Sequence, residues 1–172
     1  MGLDEGLERL NALSATQTAG ELLKCCGSMN WAREMAARRP FADVASLMEA
    51  AERIWRGLGE QDWLEAFSAH PKIGGRRAQK PQDAQAQVWS NDEQAGARGM
   101  DDATQDELAA ANSAYEAKFG YIFIVCATGK TAAEMLALLR ARLPNEPDVE
   151  LHNAADEQSK ITRLRLEKLL TQ

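Results

Sequence analysis

His70 is one of two histidines in the 172 residues, and its neighbours give it a defined setting. It follows Gln61–Ala69, read as a short amphipathic helix with Trp63, Leu64 and Phe67 on its apolar face, and Pro71 ends that helix. An imidazole emerging at a helix C-terminus is drawn towards its charged form by the backbone dipole and away from it by burial. A group with an ordinary pKa of about 6.5 can then exchange protons near neutrality. The competing description is a histidine that merely covers core. His152 lies at a solvated helix start and is assigned no role.

Two further groups are candidates. Ser90-Asn-Asp-Glu93 has capping-box spacing, which makes Glu93 either a plain helix cap or a carboxylate beside an anion-receptive helix start. Arg165 falls in the ridge Leu151, Ala155, Gln158, Ile161, Arg165, Leu169, whose helical spacing is otherwise apolar. A guanidinium there stays charged, so it requires either an internal partner or a bound anion. After His70 come Lys72, Arg76, Arg77 and Lys80 with no acid between them, and Gly74-Gly75 lets backbone donors approach a ligand. That run is either an anion-attracting rim or a solvated charge cluster.

Several chemistries are excluded by pattern. Ala127-Thr-Gly-Lys-Thr131 fails as a phosphate-binding loop because Ile124 stands where glycine is needed. No HExxH, GxSxG or dinucleotide fingerprint occurs, and three cysteines, two of them adjacent, supply neither a disulfide framework nor ligand spacing. No metal site is expected. A formal charge of −6 argues against a nucleic-acid partner, and no apolar run approaches the roughly 20 residues of a membrane span. The acidic N-terminal segment lacks the basic start of a secretory signal, and the C-terminus lacks a peroxisomal tripeptide, so the cytoplasm is the expected location.

The elements that must position these groups are helical. Thr18-Ala-Gly-Glu21, Thr104-Gln-Asp-Glu107 and Thr131-Ala-Ala-Glu134 match the capping box and predict three helix starts. Helices are also expected near 4–13, 19–26, 31–38, 44–57 and 149–170. Leu108, Ala111, Tyr115 and Phe119 stripe one helix up to Gly120; Met135, Leu138, Leu139 and Arg142 stripe another. Tyr121–Cys126 is apolar and has no partner strand, which predicts a buried extended connector. Residues 70–100 read as a long functional loop tied down by Ile73 and Trp89. The expectation is an all-α fold, one compact multi-helix domain over 1–172.

Four ordered blocks then carry a resemblance: Phe67-x-x-His70-Pro71-Lys72-Ile73-Gly74, Trp89-Ser90-x-x-Glu93-Gln94-Ala95-Gly96, Asn112-x-x-Tyr115-x-x-Lys118-Phe119-Gly120-Tyr121-x-Phe123-Ile124, and Lys160-Ile161-Thr162-x-Leu164-Arg165-Leu166. Together with Arg39-Pro40-Phe41 they make the chain similar to the OHCU decarboxylase (2-oxo-4-hydroxy-4-carboxy-5-ureidoimidazoline decarboxylase) family over nearly its whole length. The resemblance implies a homodimer with no metal or organic cofactor that converts OHCU to (S)-allantoin and CO₂ in urate catabolism. It implies a catalytic proton donor at His70 and a substrate-contacting Glu93, whose carboxylate the chemistry of the reaction makes a candidate catalytic partner able to orient or deprotonate the substrate hydroxyl. It also implies substrate contacts at Pro71, Ser90, Gln94, the backbone of Phe123, Ile124, Val125, Cys126 and Ala127, and Arg165. The alternative reading is a small helical acid–base enzyme acting on another ureido or imidazole compound.

Overall fold

The computed structural model describes residues 2–75 and 83–172, so Arg76, Arg77 and Lys80 of the basic run lie outside the described residues. Among the described residues there are nine α-helices and no strand, and the expected all-α class holds. In chain order the helices are α1 (Leu3–Ala12), α2 (Ala15–Cys26), α3 (Met29–Ala37), α4 (Val44–Gly57), α5 (Glu60–Ser68), α6 (Ala84–Glu93), α7 (Asp102–Phe119), α8 (Ala132–Arg142) and α9 (Pro147–Thr171). The chain groups into two compact units: residues through Ala66 together with Ser159–Gln172, and Phe67–Gln158.

In the first unit α2 packs on α3, and α4 packs on α3 and α1. Leu22, Trp31, Met35 and Leu47 are fully buried there, and Trp31 Nε1 donates to Ala51 O at 3.0 Å, tying α3 to α4 through an indole that would otherwise be a buried unpaired donor. The Arg39-Pro40-Phe41 segment is a clasp: Arg39 donates to the carbonyls of Ala36, Asn11 and Leu13, and Asn11 exchanges both of its amide bonds with Phe41.

In the second unit α7 and α8 pack together around Leu108, Tyr115, Met135 and Leu139. Thr131 opens α8 with the expected capping box, and Gly120 ends α7 with φ 81°, the left-handed conformation that glycine adopts without strain. Two expected starts differ. Helix α2 is capped by Ser14 and Gln17, leaving Thr18 buried inside it and bonded back to Ser14 O, and α7 is capped by Asp101, whose carboxylate accepts from Thr104 N. In both cases a better acceptor three or four residues upstream takes the cap. On α8 the inner face is Met135, Leu136 and Leu139, while Leu138 is exposed.

Residues 122–127 form a buried connector that is neither helix nor strand. Lacking a regular ladder, it is held by side chains. Arg142 donates to Ile124 O at 2.7 Å and lies over the Phe123 ring, Glu157 accepts from Cys126 N at 2.7 Å, and Lys130 Nζ donates to Cys126 O at 2.7 Å. Arg142 is itself fixed by Glu150, a fully buried carboxylate that also accepts from Tyr115 and Asn145. Burial pushes the Glu150 carboxyl up, but the hydrogen bonds from Arg142, Tyr115 and Asn145 outweigh it and hold the group below its ordinary range.

Candidate active site

His70 follows α5 as expected: its N–H donates to Phe67 O at 3.1 Å, closing the helix just before Pro71. The side chain is 7% exposed, and its Nε2 lies 2.7 Å from Gln158 Oε1 on α9. The polar interruption that Gln158 made in the apolar α9 ridge is therefore the buried partner of His70.

The segment after His70 is a tight turn. Gly75 N donates to Lys72 O at 2.7 Å, and Gly74, at the third position, has φ 78°, which a type II turn requires and a side chain would strain. Three bonds hold this turn in place. Gln94 donates to Pro71 O at 3.3 Å and accepts from Gly74 N at 3.2 Å, and Asn112 on α7 donates to Ile73 O at 3.1 Å. Ile73 and Trp89 are buried, as expected of anchors. Lys72 is paired with Glu116, so this member of the basic run already has an acidic partner.

Ser90 and Glu93 sit on α6, but not at its start. The helix begins at Ala84 with Asp83 as its cap, whose carboxylate accepts from Gln85 N at 2.8 Å. The expectation that Ser90 caps a helix is thus corrected. Alanine and glutamine favour helix without giving an apolar stripe, so 84–89 continues the helix upstream although its sequence carries no periodic signal. Ala86, Trp89, Ser90 and Glu93 form its buried face, which puts the hydroxyl and the carboxylate one turn apart on one side. Glu93 is 8% exposed and lies close enough to Cys126 for its charge to act on that thiol. Burial pushes the thiol up, Lys130 opposes the rise, and Glu157 and Glu93 reinforce it.

The end of α6 is pressed against the turn that follows the connector. A Cβ on Gly96, in the short 3-10 turn Ala95–Ala97, would lie 1.9 Å from Lys130 O, so only glycine permits this approach. A cavity of about 770 Å³ opens here, lined by Pro71, Ser90 and Gln94 among the expected residues and by Asn91, Arg98 and Gln105 among those not anticipated. Small-molecule sites commonly span about 300–1,000 Å³.

His70, Pro71, Ser90, Glu93, Gln94 and Phe123 to Ala127 all belong to the second unit. Arg165 belongs to the first, where it is 3% exposed and donates to Lys24 O at 3.3 Å; its charge opposes the rise that burial imposes on the thiols of Cys25 and Cys26. The supporting roles of Glu157, Arg142 and Asn112 were not read from the sequence, because each acts through a contact distant in sequence, and that of Lys130, four residues from Cys126, follows no helical or strand period. Among the described residues no three His, Cys, Asp or Glu side chains are grouped as metal ligands would be, and no helix is long and apolar enough to cross a membrane.

The second unit thus buries an imidazole and a carboxylate and holds a cavity of small-molecule size whose lining includes neither His70 nor Glu93. The sequence profile of the OHCU decarboxylases matches residues 11–167. The chain belongs to the OHCU decarboxylase family. It is 40% identical over 147 residues to the uric acid degradation bifunctional protein TTL of Arabidopsis thaliana, covering 86% of this chain and 45% of that protein. With the bifunctional protein PucL of Bacillus subtilis it shares 25% identity over 98% of its own length and 33% of that protein's. The chain therefore spans less than half the length of these bifunctional relatives. The 2-oxo-4-hydroxy-4-carboxy-5-ureidoimidazoline decarboxylase of Amia calva is 27% identical, with 95% of this chain and 94% of that protein covered. A crystal structure of OHCU decarboxylase in the presence of (S)-allantoin superposes with a TM-score of 0.74 at 40% identity, covering 88% of this chain and 98% of that one.

Proposed function

We propose that this chain decarboxylates OHCU to (S)-allantoin and CO₂ in urate degradation, as a single functional domain over 1–172. Family membership and the 40% identity to a decarboxylase crystallised with (S)-allantoin support the substrate class. In OHCU the departing carboxylate and a hydroxyl share one carbon. When the carbon–carboxylate bond breaks, its electron pair passes towards the adjacent ring C=N. The ring nitrogen that receives the pair takes a proton from water, the hydroxyl loses its proton to become the new carbonyl, and the neighbouring carbon gains one. No external electron sink enters this account, so the reading assigns no role to a metal or organic cofactor.

His70 delivers the proton to carbon and Glu93 orients or deprotonates the hydroxyl, a division of labour that positioned acids and bases support. Ser90, Pro71 and Gln94 contact the ligand from the cavity wall, and Arg165 keeps the substrate-binding role that the family resemblance gives it. The observation that carries the reading is in the connector. Among the described residues the N–H and C=O of Val125 meet no hydrogen-bond partner, although Ile124 O and Cys126 N on either side are anchored. Val125 is 5% exposed. Buried backbone groups are seldom left unmatched, and a flat amide-rich ureidoimidazoline supplies both a donor and an acceptor.

The test uses freshly generated OHCU and circular dichroism of the product. His70→Asn and Glu93→Gln should each lower turnover by about 10²-fold or more, and the allantoin that His70→Asn still yields should lose its excess of one enantiomer. Retained rate and handedness in both variants would sink the assignment; turnover of a different ureido or imidazole compound in place of OHCU would redirect the substrate. We also propose a homodimer in the cytoplasm, as the resemblance implies. A scattering mass of one 18.9 kDa chain would overturn the dimer.

A further inference from the structure

We infer that Gln158 locks His70 in the Nε2–H tautomer, so that the proton His70 exchanges is carried on Nδ1. The inference rests on the reading of His70 as the proton donor and goes beyond it by naming the atom and the residue that selects it. The amide oxygen of Gln158 only accepts, and it stands 2.7 Å from His70 Nε2. A neutral ring with its hydrogen on Nδ1 would turn the Nε2 lone pair against that oxygen. The Nε2–H form makes a hydrogen bond at the same place. Gln158 is fully buried, so no water can take over either role at that atom without the amide moving. The residue beside it, Glu157, is bonded to Cys126 N of the connector, which limits the freedom of this turn of α9.

The side chain type matters as much as the distance. A carboxylate at this position would fix the same tautomer but would also stabilise the imidazolium and oppose release of its second proton. A neutral amide fixes the tautomer without that attraction. Gln158 is thus a positioning residue: it keeps Nε2–H in both charge states and confines titration of the ring to Nδ1.

The wild-type protein provides the first test. Long-range ¹H–¹⁵N correlation of protein labelled with ¹⁵N-histidine reports which ring nitrogen carries the hydrogen, and with only two histidines a His152→Gln variant assigns the signals. At a pH where the ring is neutral, His70 should show a protonated Nε2 and a bare Nδ1. The opposite pattern, or a mixture of both, would overturn the inference. Gln158→Leu should then convert the spectrum to a mixture and lower turnover by about 10-fold to 100-fold, the scale of loss known for removing the hydrogen-bond partner that orients a metal-bound imidazole. Gln158→Glu should restore the single tautomer and move the pH–rate limb attributed to His70 upward by about one unit or more. An unmoved limb in a folded Gln158→Glu protein would also overturn it. The two readings fail separately: full turnover in His70→Asn removes the catalytic assignment whatever the spectrum shows, whereas a bare Nε2 removes the role of Gln158 whatever the rate.

Discussion

Gly96→Ala tests whether the contact between the end of α6 and the turn after the connector sets the geometry of the site. The new Cβ would lie 1.9 Å from Lys130 O and 2.9 Å from its carbonyl carbon. Both neighbours are backbone, so no flexible side chain can swing aside, and one of the two segments must move by more than an ångström. Overpacking typically costs about 1–3 kcal/mol, and a backbone clash belongs at the upper end. For a chain of this size about 3 kcal/mol lowers the melting midpoint by about 6–12 °C. Lys130 also holds Cys126 O, so the shift should reach the connector and lower turnover by up to about 10²-fold. Gly6→Ala is the matched control: its Cβ would lie 1.8 Å from Leu170 O, an equal violation wholly inside the first unit. Thermal melts and initial rates, taken well below both midpoints, separate the two. Gly6→Ala should lose comparable stability and keep its turnover per folded molecule. An unchanged midpoint and rate in Gly96→Ala would refute the reasoning, and so would an equal loss of turnover in Gly6→Ala.

Other substitutions probe the supports of the site. Arg142→Met should destabilise the protein by about 3–5 kcal/mol in urea unfolding, because Glu150 is left as a buried, under-compensated charge; a loss below about 1 kcal/mol would contradict the network. Glu150 has a folded pKa below its ordinary 4.5, so its ionised form adds stability above that value and the contribution disappears as pH falls through the folded pKa. Acid titration of unfolding should accordingly be flatter in Glu150→Gln, and an identical acid limb would refute the assignment. Asp83→Ala should remove about 1 kcal/mol through the lost cap, whereas Ser90→Ala should spare stability and raise KM; the reverse pattern would return the cap to Ser90. Arg165→Lys should weaken substrate binding although charge is kept, since an ammonium cannot reproduce a two-pronged planar contact; unchanged KM and turnover would leave Arg165 structural.

The sequence announced those parts of the site whose signals are local. Pro71 encodes the stop after α5 and stands as read, whereas Gly74-Gly75, expected to offer backbone donors to a ligand, forms a tight turn whose N–H groups donate to Gln94 and Lys72. The apolar ridge of α9 showed Gln158 and Arg165 as polar groups that would be buried, and they are. The start of α6 was hidden because Ala84–Val88 favours helix by propensity, with no hydrophobic period to mark it. Thr18 and Thr104 imitated caps because the motif is short, and stronger acceptors upstream took the role. The grip of Glu157 and Arg142 on the connector depends on tertiary neighbours, and no spacing rule within one segment reports such contacts; Lys130 reaches back four residues to Cys126 across an irregular turn that has no periodic signature.

The irregular connector has a consequence for exchange of its amide protons with solvent. In a helix or sheet, neighbouring amides are protected together because one ladder holds them all. Here protection is assigned atom by atom: the Cys126 amide is clamped by a carboxylate, while the adjacent Val125 amide has no internal acceptor among the described residues. Two consecutive residues should therefore differ in deuterium uptake in the free protein. Saturation with allantoin should slow Val125 and leave Cys126 nearly as it was, turning one peptide of the chain into an internal gauge of occupancy that needs no turnover to be read.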